Sequence, residues 1–259
     1  MSAPPAAAEL FSLEGRTAVV TGASAGLGAR FAAVLARAGA TVFAAARRID
    51  RLKELADAGA RIHPVACDVS LAADRTRLIE TARTATGRVD ILVNNAATSG
   101  ETRAEDESPD AFADVLGTNL TAPFHLARLV AEAPAGDNAP PRSVINVSSI
   151  LGLVTAAPLG GASYAASKAG LLGLTRELAG QWGGSGTRVN ALAPGWFRTE
   201  MTADLFGDER SSRWVERNTL LRRGGDAHEL DGALLFLASD ASSYCTGQIL
   251  TVDGGWTAR

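Results

Sequence analysis

Short apolar runs alternate with segments of helical periodicity along almost the whole chain. The opening pair shows the pattern: the β-branched run 16–20 predicts a strand, and apolar residues at helical spacing from Leu27 to Ala38 predict a helix. The predicted strands lie at 16–20, 41–46, 62–66, 91–93, 144–147, 188–192 and 249–252. The predicted helices lie at 27–38, 52–59, 71–85, 108–133, 162–182 and 227–238, with a kink or break at Pro123 in the fourth.

Strands that alternate with helices in this way predict a parallel sheet covered by helices on both faces. No linker-like change in composition interrupts the alternation, so the sequence predicts one doubly wound α/β domain over residues 16–259 with about seven strands. Residues 1–15 are predicted to form an N-terminal tail, and residues 133–141 an exposed loop. Residues 196–225 are predicted to be less regular and are a candidate substrate lid.

The composition excludes several classes of protein. Apolar residues make up 46% of the 259 residues and the formal charge is −3, which excludes a disordered chain and gives no electrostatic case for nucleic acid. No apolar run is long enough for a membrane span, and the N-terminus lacks the features of a signal peptide, so a cytoplasmic protein is expected. Cys67 and Cys245 are expected to be buried inert thiols, and the three histidines lie on separate elements without metal-ligand spacing.

A glycine-rich turn separates the first predicted strand from the first predicted helix. Gly22, Gly26 and Gly28 stand where the chain changes direction. Backbone N–H groups at a helix start are unpaired and carry partial positive charge, so a pyrophosphate can bind there, and glycine keeps side chains out of its way. The alternative is a tight turn that binds no ligand.

The end of the second strand indicates which dinucleotide would bind. An acidic residue there binds a ribose 2′-hydroxyl, whereas arginine accommodates a 2′-phosphate. Here the strand ends in Arg47 and Arg48, and no carboxylate precedes Asp50. Two guanidinium groups favour NADP(H) over NAD(H), although NAD(H) remains possible and the pair could simply be a solvated loop.

These features, together with others further along, resemble the classical short-chain dehydrogenase/reductase family over almost all of the chain. The matching motifs, in order, are Thr21-Gly22-x-x-x-Gly26-x-Gly28, Asp68-Val69, Asn94-Asn95-Ala96, Asn119, Ser148-Ser149, Tyr164-x-x-x-Lys168, Pro194-Gly195 with Thr199, and Val252-Asp253-Gly254-Gly255. Three departures stand out. The stretch from Ser149 to Tyr164 is about two residues longer than is commonest, Ala97 replaces the usual glycine, and Ala25 stands where many NADP-using members carry a basic residue.

The resemblance implies a Rossmann-type fold, a homotetramer and a defined set of site residues. The implied catalytic tetrad is Asn119, Ser149, Tyr164 and Lys168, with Ser148 as a competitor for the serine role. The implied cofactor-binding residues are Gly22, Ser24, Gly26, Leu27, Gly28, Arg47, Arg48, Asp68, Val69, Asn95, Ala96, Tyr164, Lys168, Pro194, Gly195 and Thr199. Among these, Asp68 and Val69 would touch the adenine, and Pro194, Gly195 and Thr199 would hold the nicotinamide end.

Tyr164 and Lys168 are four residues apart, which places them on one face of a helix. A free tyrosine has a pKa of ~10, and a nearby ammonium or oxidised nicotinamide ring lowers it because opposite charge favours the phenolate. Tyr164 would then donate a proton to the forming alkoxide in reduction, while Ser149 polarises the carbonyl oxygen. The resemblance assigns Asn119 a water that links Lys168 to solvent.

The best-supported activity is therefore NADP(H)-dependent carbonyl reductase or alcohol dehydrogenase. Alternatives are an NAD(H)-dependent sugar-acid or polyol dehydrogenase, a 3-oxoacyl thioester reductase, and a dinucleotide sensor that has lost catalysis. A methyltransferase would have no use for a Tyr-x-x-x-Lys pair. Apolar residues of the candidate lid either cover an apolar ketone or pack within the protein, and they are Trp196, Phe197, Met201, Leu205, Phe206 and Trp214. Nearby arginines leave an acidic or acyl-carrier-linked substrate open.

Overall fold

The computed structural model describes residues 6–59, 61–132, 140–157 and 159–259. Within these ranges seven strands form one sheet in the order β3-β2-β1-β4-β5-β6-β7, and every neighbouring pair is parallel. The strands are β1 (Thr17–Thr21), β2 (Thr41–Ala46), β3 (Ile62–Ala66), β4 (Ile91–Asn94), β5 (Arg142–Val147), β6 (Thr187–Pro194) and β7 (Ile249–Val252). The predicted doubly wound parallel sheet is confirmed.

Helices join the strands and cover both faces of the sheet. They are α1 (Ala7–Leu10), α2 (Gly26–Arg37), α3 (Ile49–Asp57), α4 (Ala72–Thr86), α5 (Pro109–Leu116), α6 (Ala122–Ala131), α7 (Ala162–Trp182), α8 (Ala203–Gly207), α9 (Glu209–Asn218) and α10 (Asp231–Ala238). No helix in the described ranges combines the length and the apolar character that crossing a bilayer requires.

The core consists of two apolar layers, one on each face of the sheet. Phe31 of α2 and Leu234 of α10 belong to the first layer, whereas Leu78 of α4 and Leu178 of α7 belong to the second. Successive residues of β1 point into opposite layers, with Val19 packed in the second layer. Because each strand is buried on both faces, the strands read in the sequence as continuous apolar runs.

The position of the site follows from the strand order. The chain winds outward from β1 through β2 to β3, and then returns to place β4 on the other side of β1. Connections that leave adjacent strands toward opposite faces open a crevice at the carboxyl ends of those strands, where ligands bind in open α/β sheets. The turns after β1, β4, β5 and β6 meet at this edge.

The helix predicted over 108–133 is divided by a π-helical turn. α5 runs into a π turn at Gly117–Thr121, in which the amide of Ala122 donates to the carbonyl of Gly117, and α6 follows. Pro123 explains the change, because it has no N–H with which to bond the carbonyl of Asn119 in an α-helical ladder. Residues 133–139 of the predicted exposed loop lie outside the described residues.

Two predictions about the ends and connections were wrong in part. Residues 6–15 are more than a tail, because they include α1 and Leu13, which is 1% exposed and joins the first core layer. Residues 196–225 are largely helical and contain α8 and α9. The helix α9 escaped detection because Val215 is its one buried residue, so the sequence carries no apolar stripe there.

The cysteine prediction holds for one residue and fails for the other. Cys67 is buried, and burial raises the pKa of its thiol to about 11. Cys245 is half-buried, and its Sγ lies 3.7 Å from Oδ1 of Asn190. Cys67 belongs to the second core layer, whereas Cys245 belongs to neither layer, so the apolar and small residues around Cys245 in the sequence did not guarantee its burial.

Candidate active site

The glycine-rich turn after β1 is packed tightly against the protein itself. A Cβ on Gly28 would lie 2.2 Å from the carbonyl oxygen of Gly22, and one on Gly22 would lie 2.8 Å from Cα of Ala96. Both positions therefore require glycine for packing, whether or not a ligand binds. Gly26 has a φ of +54°, and a Cβ added to it would meet only Cβ of Thr199, at 3.6 Å, so at this position the backbone conformation rather than packing favours glycine.

The start of α2 suits an anion. Its N-cap, Ala25, has no side chain that can accept from the first-turn amides, and the first turn holds no acidic residue. By contrast, the start of α5 is capped by Ser108, whose side chain accepts from the amide of Ala111. Uncapped amides and the positive end of the helix dipole attract a phosphate group. The turn therefore fits a dinucleotide, with Ser24 and Leu27 flanking it.

The two arginines after β2 have different surroundings. Arg48 donates through Nε to Oγ of Ser24 and forms a two-pronged ion pair with Glu200. Arg47 is exposed, and its charge contributes to lowering the pKa of Asp68. Arg48 therefore lies beside the glycine turn, whereas Arg47 acts electrostatically on the carboxylate that follows β3.

The turn after β3 holds Asp68 and Val69. Asp68 accepts from the amide and hydroxyl of Ser70, and these bonds lower the pKa of its carboxyl group. Val69 is buried at 8% exposure and its carbonyl accepts from Arg75. This arrangement offers a carboxylate and an apolar surface at the same edge of the sheet.

Two asparagines, Asn94 at the end of β4 and Asn95 directly after it, connect the glycine turn to the rest of the site. Nδ2 of Asn95 donates to the carbonyl of Thr21 at 3.0 Å, and the amides of Asn95 and Ala96 donate to Oγ1 of Thr21. Asn94 continues the network by donating to Asn146 of β5 at 2.9 Å. These bonds hold the ends of β1, β4 and β5 in a fixed relation.

Tyr164 and Lys168 lie together on the first turns of α7. The Lys168 Nζ is 5.5 Å from the centroid of the Tyr164 ring and donates to the carbonyl of Val147 at 2.8 Å. Lys168 is buried, and burial lowers the pKa of its amine to about 8. Burial also raises the pKa of Tyr164, and a hydrogen bond with the Ser149 side chain acts in the opposite direction. On balance the protein's own groups therefore raise the pKa of Tyr164, whereas the sequence predicted that it would be lowered.

The two adjacent serines after β5 have different partners. Ser149 is hydrogen-bonded to Tyr164 through its side chain, and its Oγ accepts from the amide of Leu151 at 3.1 Å. Ser148 is buried and donates to the backbone carbonyl of Lys168 at 2.9 Å. Ser148 therefore anchors the backbone of α7 at Lys168, whereas Ser149 faces the phenol of Tyr164.

Asn119 lies in the π turn and is 1% exposed. Its Oδ1 accepts from the amide of Thr98, and its Nδ2 donates to the carbonyl of Thr98 at 2.8 Å and to Oγ of Ser167 at 3.0 Å. Ser167 is the residue before Lys168 and accepts this bond on the buried side of α7. The Asn119 side chain therefore ties the loop after β4 to the helix that carries Tyr164.

The turn after β6 completes the edge of the site. The amide of Gly195 donates to the carbonyl of Val252, and a Cβ on Gly195 would lie 2.7 Å from Cα of Asp253. Thr199 follows in a turn closed by Thr202, whose Oγ1 accepts from the Thr199 amide at 3.0 Å. Pro194 ends β6, so this segment starts at the sheet edge and runs over the glycine turn.

Several residues of the site carry no sequence motif that would reveal them. The carboxylate of Glu107 accepts from the amide and hydroxyl of Ser163 and so caps the start of α7. In the sequence Glu107 directly precedes Ser108, the cap of α5, so nothing local links it to α7. Thr98, Ser167 and Glu200 were also missed, because they bond Asn119 or Arg48, which are distant in the chain. Thr202 was missed although its partners, Phe197 and Thr199, are local.

Three tryptophans form a cluster beside the site. Trp214 lies 4.9 Å from Trp256 and 5.9 Å from Trp196, measured between ring centroids. The cluster packs on Ile150 and Ala156, which follow Ser149. Trp256 comes from the C-terminal end of the chain and was not recognised in the sequence. Within the described ranges, no group of three or more His, Cys, Asp or Glu side chains could hold a metal ion.

Comparison with known proteins adds a family context. A family model described as enoyl-(acyl carrier protein) reductase matches residues 22–257. The chain is 37% identical to gluconate 5-dehydrogenase of Gluconobacter oxydans, covering 96% of this chain and 97% of that one. It is 36% identical to 3-oxoacyl-[acyl-carrier-protein] reductase of Salmonella typhimurium, covering 94% and 98%.

A solved structure shows the same fold with a dinucleotide. It is a gluconate 5-dehydrogenase from Burkholderia cenocepacia in complex with NADP and tartrate, and it is 31% identical to this chain. The two align with a TM-score of 0.88, over 98% of this chain and all of the other. The likeness therefore extends over the whole sheet and its edge.

Proposed function

The chain belongs to the classical short-chain dehydrogenase/reductase family, and from that premise we propose that it transfers a hydride between NADP(H) and a ketone or secondary alcohol, with Tyr164 as the general acid and base. Membership makes it an oxidoreductase. The cofactor preference, the substrate and the proton carrier are the proposed part.

One observation carries the proposal. Tyr164, Ser149 and Lys168 come from two separate segments and meet at the carboxyl edge of the sheet, where Tyr164 bonds Ser149 and faces the Lys168 ammonium. A phenol between a hydroxyl and a cation is suited to proton transfer to or from an oxygen. The mechanism then needs a hydride donor or acceptor, which a bound nicotinamide supplies.

In reduction, the Tyr164 hydroxyl donates its proton to the substrate oxygen as the carbonyl carbon gains the hydride. The phenolate left behind is stabilised by the Lys168 ammonium, because opposite charge favours the ionised form. Ser149 hydrogen-bonds the same substrate oxygen and holds it near the phenol. In oxidation each transfer reverses: Tyr164 takes the alcohol proton, and the carbinol carbon loses the hydride.

Burial alone leaves the Tyr164 pKa above that of free tyrosine. Positive charge must therefore bring the pKa toward the working pH, and the buried Lys168 ammonium supplies part of it. The charge of an oxidised nicotinamide ring adds to the same effect. Asn119 is proposed to act by positioning, since its side chain holds Thr98 and Ser167.

The proposed cofactor is NADP(H). The pyrophosphate and the adjoining ribose would bind at the glycine turn, next to the uncapped start of α2 and the residues around Asn95. Asp68 and Val69 would contact the adenine, and Pro194, Gly195 and Thr199 the nicotinamide end. Arg47 and Arg48 favour a 2′-phosphate, and the NADP bound to the gluconate 5-dehydrogenase of known structure supports the same choice.

The proposed substrate is a neutral, fairly apolar carbonyl compound or alcohol. The tryptophan cluster supports this choice, because it packs on Ile150, the residue after Ser149, and so brings apolar side chains next to the site. Residues 196–225 would then act as the lid, with α8 and α9 as its body. Lids of this kind exclude water during transfer.

Two further candidates are favoured by relatives. A sugar-acid dehydrogenase is suggested by the gluconate 5-dehydrogenases, and a 3-oxoacyl thioester reductase by the acyl-carrier-protein reductase. Exposed arginines of the lid, including Arg198 and Arg217, could pair with an acidic or phosphorylated group.

The test is a panel of ketones, secondary alcohols, sugar acids and 3-oxoacyl thioesters, each assayed with both reduced and oxidised forms of NADP and NAD. We expect turnover of apolar ketones with NADPH, measured as the loss of absorbance of the reduced nicotinamide. A preference for NADH, or for gluconate over every ketone, would replace the proposed function by the corresponding alternative. Binding of both dinucleotides with no turnover of any compound would favour the sensor.

A homotetramer is proposed on the same family basis. Phe124 of α6 and Leu221 are large apolar residues that are 41% and 62% exposed in the single chain. Such side chains are candidates for burial between copies. Light scattering of the purified protein tests this: a monomer mass would contradict it.

A further inference from the structure

Glu200 lies directly on the arginine that was predicted to bind a 2′-phosphate. The Arg48 Nη1 is 3.1 Å from the Glu200 Oε1, and the Nη2 is 3.1 Å from Oε2. The Nε–H donates to Oγ of Ser24 at 3.2 Å, so these three bonds use three of the five N–H donors of the guanidinium group. A guanidinium group recognises a carboxylate and a phosphate through the same fork of donors. Glu200 therefore occupies the Nη1–Nη2 fork of Arg48, the face through which a phosphate would form a two-pronged contact.

The segment that carries Glu200 rests on the glycine turn. Thr199 is the neighbour that a Cβ on Gly26 would meet, at 3.6 Å. Thr202 closes a short helical turn over Glu200–Thr202 by bonding the amide of Thr199. The carboxylate is thus presented by an ordered turn at the base of the proposed lid.

The ion pair between Arg48 and Glu200 is exposed enough for a phosphate to replace Glu200. The Arg48 and Glu200 side chains are 52% and 63% exposed, and water competes effectively for such ion pairs. Arg48 is the main reason that the Glu200 pKa is lowered, and Arg51 adds a smaller effect in the same direction. Glu200 therefore stays charged at neutral pH and repels a phosphate dianion that approaches Arg48.

We propose that Glu200 competes with the 2′-phosphate of NADP(H) for Arg48, so that binding of the phosphate releases the turn Glu200–Thr202 from the glycine turn. Glu200 is then a specificity-determining residue for the cofactor. Glu200 places a carboxylate beside the end of β2, although it is 152 residues away from Arg48 in the chain. An acidic residue was considered in the sequence only at the end of the second strand itself. The proposal rests on the NADP(H) preference proposed above.

The first experiment measures binding by calorimetry, with 2′,5′-ADP and 5′-AMP as probes that lack the nicotinamide. In Glu200→Gln, we expect 2′,5′-ADP to bind about two- to fivefold more tightly than in the parent, with 5′-AMP nearly unchanged. Glu209→Gln is the matched control, because Glu209 forms an exposed ion pair with Arg213 in the same lid. This control should change neither affinity.

A double-mutant cycle separates competition from a general charge effect. If Glu200 acts through Arg48, the gain from Glu200→Gln disappears in an Arg48→Ala background. A gain that persists there, or a parent-like affinity in Glu200→Gln, overturns the proposal. Because both residues are exposed, these variants are expected to fold, and circular dichroism checks that they do.

Amide exchange of the full chain tests the release itself. With 2′,5′-ADP bound, the amides of residues 200–202 should exchange faster than with 5′-AMP, whereas those of α10 should not change. Equal or slower exchange at 200–202 overturns the release.

The two proposals fail in different ways. If the parent binds 5′-AMP but not 2′,5′-ADP, and Glu200→Gln restores binding, the competition stands and the NADP(H) preference falls. If the parent binds 2′,5′-ADP and Glu200→Gln behaves like Glu209→Gln, the preference stands and the competition falls.

Discussion

The Lys168 ammonium lies 5.5 Å from the centroid of the Tyr164 ring, one turn further along α7. Its Nζ is fixed by a 2.8 Å bond to the carbonyl of Val147, so the end of β5 determines where the charge sits. Lys168 is 2% exposed, whereas Tyr164 keeps part of its surface open. A buried cation beside a partly open phenol is the relationship on which the proposed chemistry depends.

Tyr164→Phe removes the hydroxyl that carries the proton. We expect kcat to fall by about 10²–10⁴-fold, because a positioned general acid contributes that much. Dinucleotide affinity, measured by calorimetry, should stay near that of the parent. The control is Tyr244→Phe, since Tyr244 is the other tyrosine and is fully exposed. Residual activity equal to that of Tyr244→Phe would exclude Tyr164 as the proton carrier.

Ser148→Ala and Ser149→Ala form a matched pair with opposite expected effects. Ser149→Ala should lower kcat by about 10²-fold with little change in unfolding free energy, because Ser149 contacts Tyr164 at the open side. Ser148→Ala should cost about 1 kcal/mol in unfolding free energy, because a buried bond to the Lys168 carbonyl is lost. Steady-state kinetics and urea unfolding measure the two effects. The reverse pattern would transfer the catalytic role to Ser148.

Lys168→Met tests the cost of burying the amine. The Lys168 pKa is about 8 in the folded protein and about 10.4 in an unfolded chain. Between these values the unfolded state binds more protons, so the stability of the parent rises with pH there, and below pH 8 the penalty for burying the charge is complete. The unfolding free energy of Lys168→Met minus that of the parent should therefore fall by about 2–3 kcal/mol between pH 7 and pH 10.

Urea unfolding of both proteins across that range measures the difference. Lys53→Met is the control, because Lys53 is exposed on α3 and its difference from the parent should change little with pH. A pH-independent difference for Lys168→Met would show that the amine is not destabilised by burial.

Glu107→Ala removes the cap of α7. The Ser163 amide and hydroxyl then lose their carboxylate acceptor, which should cost about 1–2 kcal/mol in unfolding free energy. Because Tyr164 follows Ser163, kcat should also fall. Glu105→Ala is the control, since Glu105 is exposed and pairs with Arg103. If both variants unfold at the same urea concentration, the cap contributes nothing measurable.

Trp214→Leu tests whether the tryptophan cluster contributes to binding an apolar substrate. Loss of its ring contacts with Trp196 and Trp256 should raise KM for a bulky apolar ketone by about tenfold, with a smaller change in kcat. Trp182→Leu is the control, because Trp182 packs in the second core layer at the far end of α7. Equal KM values in parent and Trp214→Leu would make the cluster a packing element.

Most of the fold could be predicted from the sequence. The strands 41–46, 62–66 and 249–252 and the helix 162–182 have the predicted bounds, because an apolar run between turn residues and a long periodic segment are local signals. α9 was not predicted, because a helix that buries one residue has no such signal. The π turn at Asn119 was predicted only as a kink at Pro123.

The candidate site divides in the same way. Tyr164 and Lys168 lie on one helix face because their spacing in the sequence alone requires it. Which of the two serines faces the phenol depends on how β5 enters its turn, and the side chains alone could not show it. The partners of Asn119, Thr98 and Ser167, depend on the approach of the loop after β4 to α7.

The order of strands and helices, the glycine turn and the tyrosine–lysine pair were determined by the sequence itself, since periodicity, turn chemistry and helix spacing act over a few residues. Only the tertiary structure decided that Glu200 lies on Arg48, that Glu107 caps α7, and that Trp256 joins Trp196 and Trp214. Those contacts join segments that the parallel sheet brings to one edge. Separation along the chain carries no information about such contacts until the strands are ordered in space.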